Sequence, residues 1–181
     1  VIFTPTPLPG VLAVDLERRD GRARLLRAQL VPARVPGARP GDGLVQCSVS
    51  FNRRRGTLRG MHYQVAPHRE AKLVRCTMGA LYDVVLDLRP DSPTYRRWHG
   101  MELSAENRSA LFIPPGVAHG FQTLDDNTEV FYQMDEFFAP DSARGVRWND
   151  PAFAIAWPLP DPILSERDRG YPDYQEPALP C

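Results

Sequence analysis

Short stretches of alternating apolar and polar residues, broken repeatedly by proline and glycine, dominate this chain. In LYDVVLDLR (81–89), Tyr82, Val84, Leu86 and Leu88 fall on one face and Asp83 and Asp87 on the other. AKLVRCT (71–77) puts Lys72, Val74 and Cys76 on one face, and EVFYQM (129–134) does the same with Val130, Tyr132 and Met134. A period of two is the signature of strands. Turn clusters such as RPDSPT and IPPG join them, so the pattern predicts an antiparallel sandwich or barrel. The one helix candidate is a short turn in LSAENRS (103–109), with Ser104 as cap. Beyond residue 139 the chain becomes irregular and proline-rich (APDSARGVRWNDP, WPLPDPILSERD). This predicts an extended segment wrapping the barrel rather than a second domain, so residues 1–181 are read as one domain.

Composition narrows the class. Of 181 residues, 43% are hydrophobic, enough for a core, and the formal net charge is zero. That balance argues against general nucleic-acid binding, which needs excess basic residues. The three cysteines, Cys47, Cys76 and Cys181, show no CxxC spacing. A disulfide framework is not expected, and a reducing cytoplasm is the natural compartment. No apolar run is long enough to suggest a membrane span.

Candidate chemistry lies where polar side chains interrupt apolar strand faces. Lys72 and Tyr132 are such residues, and burial of either is costly unless it is hydrogen-bonded or working on a ligand. An edge lysine at a strand start and a tyrosine with its hydroxyl at the rim are the structural alternatives. His62 lies in LRGMHYQ and His119 in PPGVAHGF. The spacing P-x-G-x-x-H at His119, with G-x5-H from Gly56 to His62, resembles the two motifs of the cupin superfamily of small β-barrels. Metal-binding cupins carry H-x-H in the first motif, whereas here it reads His62-Tyr63-Gln64. Gln is a poor ligand for a transition metal, and His68 and Glu70 stand at an unusual spacing for replacements. A histidine released from metal binding is suited to act as a base near neutral pH, given a carboxylate to orient it. Spacing alone does not locate that partner, and a hydrogen-bonded core histidine is the alternative.

The ordered series GTLRGMHYQ, AKLVRC, YDVVLDLRPDSPT, LSAENR, IPPGVAHGF, WNDP and LSERD resembles the dTDP-4-dehydrorhamnose 3,5-epimerase family of deoxysugar biosynthesis, from about residue 46 to 173. The resemblance implies a mainly β, cupin-type antiparallel barrel, or jelly roll, with short helices and an extended C-terminal segment. It implies a homodimer without cofactor or metal, and a nucleotide-linked 4-keto-6-deoxyhexose as substrate. Carried over by motif, His62 is the base, Asp168 its partner, Tyr132 the acid on the opposite sugar face, and Lys72 the group that steadies the enolate oxygen. Arg59, His119, Gln46, Arg22 and Arg167 are expected to hold phosphate or sugar oxygens, and Phe137 to stack on the base.

The sequence departs from the family at two places. The N-terminal D-x-R-G-x-F-x-E motif appears as DGRARLLR, keeping Arg22 but placing Leu25 and Arg27 where an aromatic and an acid are usual. The Q-x-N motif appears as Gln46-Cys47-Ser48. These changes leave open which nucleotide and sugar are bound, and whether C3, C5 or both are inverted. Two other classes stand beside the epimerase: a metal-dependent cupin isomerase or dioxygenase, and a non-catalytic nucleotide-sugar binder.

Overall fold

The structure, a computed structural model, describes residues 1–16 and 43–175. Arg22, Arg24, Leu25 and Arg27 therefore lie outside the described residues. The chain order is β1 (Ile2–Pro5), β2 (Leu12–Asp15), β3 (Gln46–Asn52), β4 (Thr57–Gln64), β5 (Lys72–Met78) and β6 (Ala80–Asp87). There follow β7 (Trp98–Ser104), β8 (Ala110–Ile113), β9 (Val117–Thr123), β10 (Thr128–Met134), β11 (Ala143–Gly145), β12 (Ile163–Leu164) and α1 (Glu166–Arg169).

Two antiparallel sheets form, in the orders β1-β2-β8-β5-β10-β3 and β11-β4-β9-β6-β7, with β12 added parallel to β4. Consecutive strands alternate between the sheets often enough to make a jelly roll. The core between them joins Val74 and Cys76 of β5, Leu111 and Ile113 of β8, and Val130 of β10 to Leu81 and Val85 of β6 and Phe121 of β9.

The second sheet is covered on its outer face as well. Val146, Phe153, Trp157 and Tyr174 of the C-terminal segment pack over Met61, Val84, Leu86 and Ala118. The extended segment expected beyond residue 139 is thus a lid on this sheet. Its burial on both faces explains why β9 has no exposed position and corrects the simple reading of β6. Tyr82, Val84 and Leu86 face the C-terminal segment. The face carrying Asp83 and Asp87 is the inner one, shared with Leu81 and Val85, and both aspartates are fully buried. Asp87 survives there by accepting from Arg89 Nε and Nη2, the Ser92 hydroxyl and the Thr94 hydroxyl at 2.6–2.8 Å. Burial alone would raise its pKa, but these bonds outweigh it and bring the carboxyl down to about 2, well below the ordinary ~3.9.

The short turn expected at 103–109 forms as a turn and does not extend into a helix. Ser104 Oγ accepts from Asn107 N while Asn107 Oδ1 accepts from Ser104 N and Ser109 N, all at 3.0 Å. These local bonds substitute for a helical ladder, and Arg108, at φ 58°, turns the chain away. Among the described residues the helix that does form is α1, inside the LSERD motif.

Candidate active site

The site is built where β4 crosses β9. Gly60 has φ 114°, and a Cβ there would lie 2.6 Å from Gly120 Cα and 2.7 Å from the His119 carbonyl oxygen. Glycine at this position lets the two backbones approach where the register shifts between Arg59 and His62. Beyond the shift His62 and His119 are direct cross-strand partners. Both rings therefore enter the space between the sheets.

A cavity of about 240 Å³ opens there. Of the residues singled out from the sequence, Gln46, Arg59, His62, Lys72, His119, Tyr132 and Arg167 line it. His62 stands on β4 of one sheet and Tyr132 on β10 of the other, so the two occupy opposite walls. Asp168 lies behind His62, 2% exposed, with its Oδ1 2.5 Å from His62 Nε2.

The local sequence of α1 explains why Asp168 can be held so firmly. Ser165 is the N-cap, and its Oγ accepts from Asp168 N at 3.1 Å while donating to Asp168 Oδ2 at 2.9 Å. One short turn thus satisfies a helix N–H and the second carboxylate oxygen. Burial pushes the Asp168 pKa up, but the hydrogen bond and charge of His62, the Ser165 hydroxyl and the charge of Arg59 together hold it below the ordinary carboxylate value. Because Nε2 faces a carboxylate, its proton is donated to Asp168, which leaves Nδ1 as the nitrogen able to accept one.

Three further groups complete the walls. Lys72, 14% exposed, places Nζ 2.7 Å from Glu70 Oε1. His119 Nε2 lies 2.6 Å from Asp83 Oδ1, with both residues buried. The other Asp83 oxygen has no partner among the described residues. Tyr132 sits edge-on to His119 at 6.1 Å between ring centroids. Its burial, reinforced by the negative charge of Asp83, raises the phenol pKa far above its usual value against the opposing influence of Arg59 and Ser50. The phenol therefore keeps its proton at neutral pH and has one to donate.

Phe137 requires a correction. It is 61% exposed and outside the cavity, whereas its neighbour Phe138 lines it. The cause is Gln64, whose amide donates to the Phe137 and His68 carbonyls and accepts from Ala139 N. That clamp, together with the bond from Phe138 N to Gln46 Oε1, holds the loop so that Phe138, itself 54% exposed, reaches the cavity wall. Arg22 lies outside the described residues.

Three contacts were not found from sequence: those of Asp83 with His119, Glu70 with Lys72 and Ser165 with Asp168. Asp83 had a legible signal, since a carboxylate within an otherwise apolar strand needs a buried partner. Glu70 and Ser165 are near neighbours in the chain of the residues they hold, Lys72 and Asp168, but their own types carry no pattern that marks the contact. The committed amide of Gln64 also bears on metal binding, and among the described residues no group of three or more His, Cys, Asp or Glu is placed to hold an ion.

Fold and site together define a cupin-type jelly roll with a carboxylate-paired histidine and a phenol on facing walls and several cationic side chains at the cavity. The sequence model of the dTDP-4-dehydrorhamnose 3,5-epimerase family matches residues 5–176. A dTDP-4-dehydrorhamnose 3,5-epimerase of Sinorhizobium fredii is 45% identical over 135 residues, 74% of this chain and 69% of that protein. Such matches cover about two thirds of the length of the curated relatives. Among solved structures, the dTDP-4-dehydrorhamnose 3,5-epimerase of Bacillus anthracis with TDP and pyrophosphate bound superposes with a TM-score of 0.89 at 36% identity, covering 96% of this chain and 99% of that one. A 3'-monoepimerase from Streptomyces bikiniensis in complex with dTDP-quinovose gives 0.83 at 31%, covering 93% and 86%. The chain belongs to the dTDP-4-dehydrorhamnose 3,5-epimerase family, whose members are isomerases.

Proposed function

We propose that this chain inverts C3, C5 or both in a dTDP-linked 4-keto-6-deoxyhexose, using its own side chains and no cofactor. The observation that carries this reading is the pairing of His62 with Asp168 on one wall of the cavity and the Tyr132 phenol on the other. The C4 ketone acidifies the hydrogens on C3 and C5. His62 Nδ1 removes one of them, and Asp168 stabilises the imidazolium that forms. Charge moves onto the C4 oxygen, where the Lys72 ammonium favours the enolate over the ketone. Tyr132 then returns a proton to carbon from the opposite face, and inversion results. In a 4-keto-6-deoxyglucose chair the C3 and C5 hydrogens are both axial on one face, so a single imidazole serves either carbon.

Arg59, Arg167, His119 and Gln46 at the cavity wall suit a diphosphate and sugar oxygens. The position of Phe138 makes it, rather than Phe137, the candidate for stacking on the base. Apolar Val49 and Phe51, 59% and 48% exposed on the edge strand β3, support a homodimer through that sheet. The shared core of the two sheets supports one domain, and the free thiols of Cys47 and Cys76 a reducing cytoplasm. No helix among the described residues is long and apolar enough to cross a membrane.

The test is incubation with dTDP-4-keto-6-deoxyglucose in deuterated water, followed by NMR of the ring protons. Label is expected at both C3 and C5, and prolonged chelation should leave the rate unchanged. Label at one carbon makes the protein a mono-epimerase. No label despite dTDP binding makes it a binder, and activity lost on chelation and restored by metal moves it to the metal-dependent cupins.

A further inference from the structure

Tyr171 lies outside the cavity, yet it touches both halves of the site. Its ring packs edge-on against the His62 imidazole, with centroids 6.1 Å apart. Its hydroxyl accepts from Arg167 Nε at 2.9 Å, and the Arg167 guanidinium carbon lies 6.0 Å from the ring centroid. A third contact fixes the ring. Gly145 is the register partner of His62 across β4 and β11, and any Cβ on Gly145 would fall inside the Tyr171 ring. A missing side chain beside the base thus forms the seat for an aromatic ring brought in by the C-terminal segment.

We propose that Tyr171 is a positioning residue with two separable duties, resting on the epimerase reading above. Through its hydroxyl it holds Arg167 by Nε, which leaves the two terminal guanidinium nitrogens to meet the diphosphate of a nucleotide sugar in the cavity that Arg167 lines. Through its ring it walls the open side of His62, whose side chain is still 34% exposed, and keeps the imidazole in line with Asp168. A flexible arginine on a four-residue helix otherwise has many rotamers to lose on binding, and a pre-formed bond reduces that cost.

Two variants separate the duties. Tyr171→Phe keeps the ring and loses the acceptor. It should weaken calorimetric dTDP binding about 5- to 10-fold, as expected for one lost bond to a charged group that acts indirectly, and raise KM more than it lowers kcat. The double variant Tyr171→Phe/Arg167→Ala should bind dTDP no more weakly than Arg167→Ala alone, since coupled residues are non-additive. Tyr171→Leu, which removes the ring too, should lower kcat by a further factor of about 10, and Phe at the same position should restore it. The proposal is overturned if Tyr171→Phe binds dTDP like the parent, if the two losses simply add, or if Phe and Leu give the same kcat. The dTDP titrations do not depend on turnover. A parent protein that binds dTDP but exchanges no ring protons would sink the epimerase reading while the binding cycle still decides the fate of the Arg167–Tyr171 contact.

Discussion

Replacing Asp168 by Asn keeps the shape of the dyad and removes its charge. In the parent, Nε2 of His62 is 2.5 Å from Asp168 Oδ1, and Asp168 is 2% exposed. When His62 takes a proton, the two charge centres lie roughly 4 Å apart, an attraction of about 4 kcal/mol at an effective dielectric near 20. One third of the His62 side chain is exposed, so solvent screening reduces this to roughly 2–3 kcal/mol. At about 1.4 kcal/mol per tenfold, turnover should fall by about 30- to 150-fold. The residual activity depends on which way the amide turns. Ser165 Oγ bonds the second oxygen of Asp168. If Asn places its NH2 towards Ser165, its oxygen still accepts from Nε2 and the reactive tautomer is kept. If the amide flips, the NH2 donates to Nε2, the proton moves to Nδ1, and the base is lost, giving a drop beyond the upper figure. The assay is the initial rate of deuterium entry at C3 and C5 at saturating substrate, with dTDP affinity measured separately. A variant within threefold of the parent kcat, or one that loses only substrate affinity, would refute the dyad.

Other outcomes follow from neighbouring contacts. His62→Asn should abolish exchange at C3 and C5 together while dTDP still binds, and survival of either exchange would require a second base. Tyr132→Phe should cut inversion by at least about 100-fold, the usual scale for general acid catalysis, which chiral analysis of the product will check. Asp87 has a depressed folded pKa of about 2, so its stabilisation is fully present above the unfolded value near ~3.9 and is lost as pH falls from about 4 towards 2. Allowing for the partial exposure of Arg89, 28%, this is worth about 1–2 kcal/mol. Asp87→Asn should flatten the acid limb of a melting-temperature profile by that amount, and an unchanged limb would remove Asp87 from the account. The double variant Val49→Asp/Phe51→Asp should sediment as a monomer if β3 carries the dimer contact, and a persistent dimer would place the interface elsewhere.

Local periods and membership of the family could be read along the chain without coordinates. Strands such as 72–78 and 128–134 were legible because alternation depends only on neighbouring residues in the chain, and the ordered motifs carried the epimerase resemblance. Only the tertiary structure decided which face of β6 is the inner one. The C-terminal segment covers the outer face of that sheet, so both faces are buried and alternation no longer distinguishes inside from outside. The same lack of local information hid the pairing of His119 with Asp83, 36 residues apart. It also hid which of two adjacent phenylalanines reaches the cavity, since the clamp from Gln64 spans more than 70 positions. Ser104 and Ser165 are both serine caps, but a positive φ at Arg108 ends the first turn, while packing of Asp168 against His62 supports the second. A four-residue helix has too few internal bonds to form unaided, so its existence depends on a contact 106 residues away.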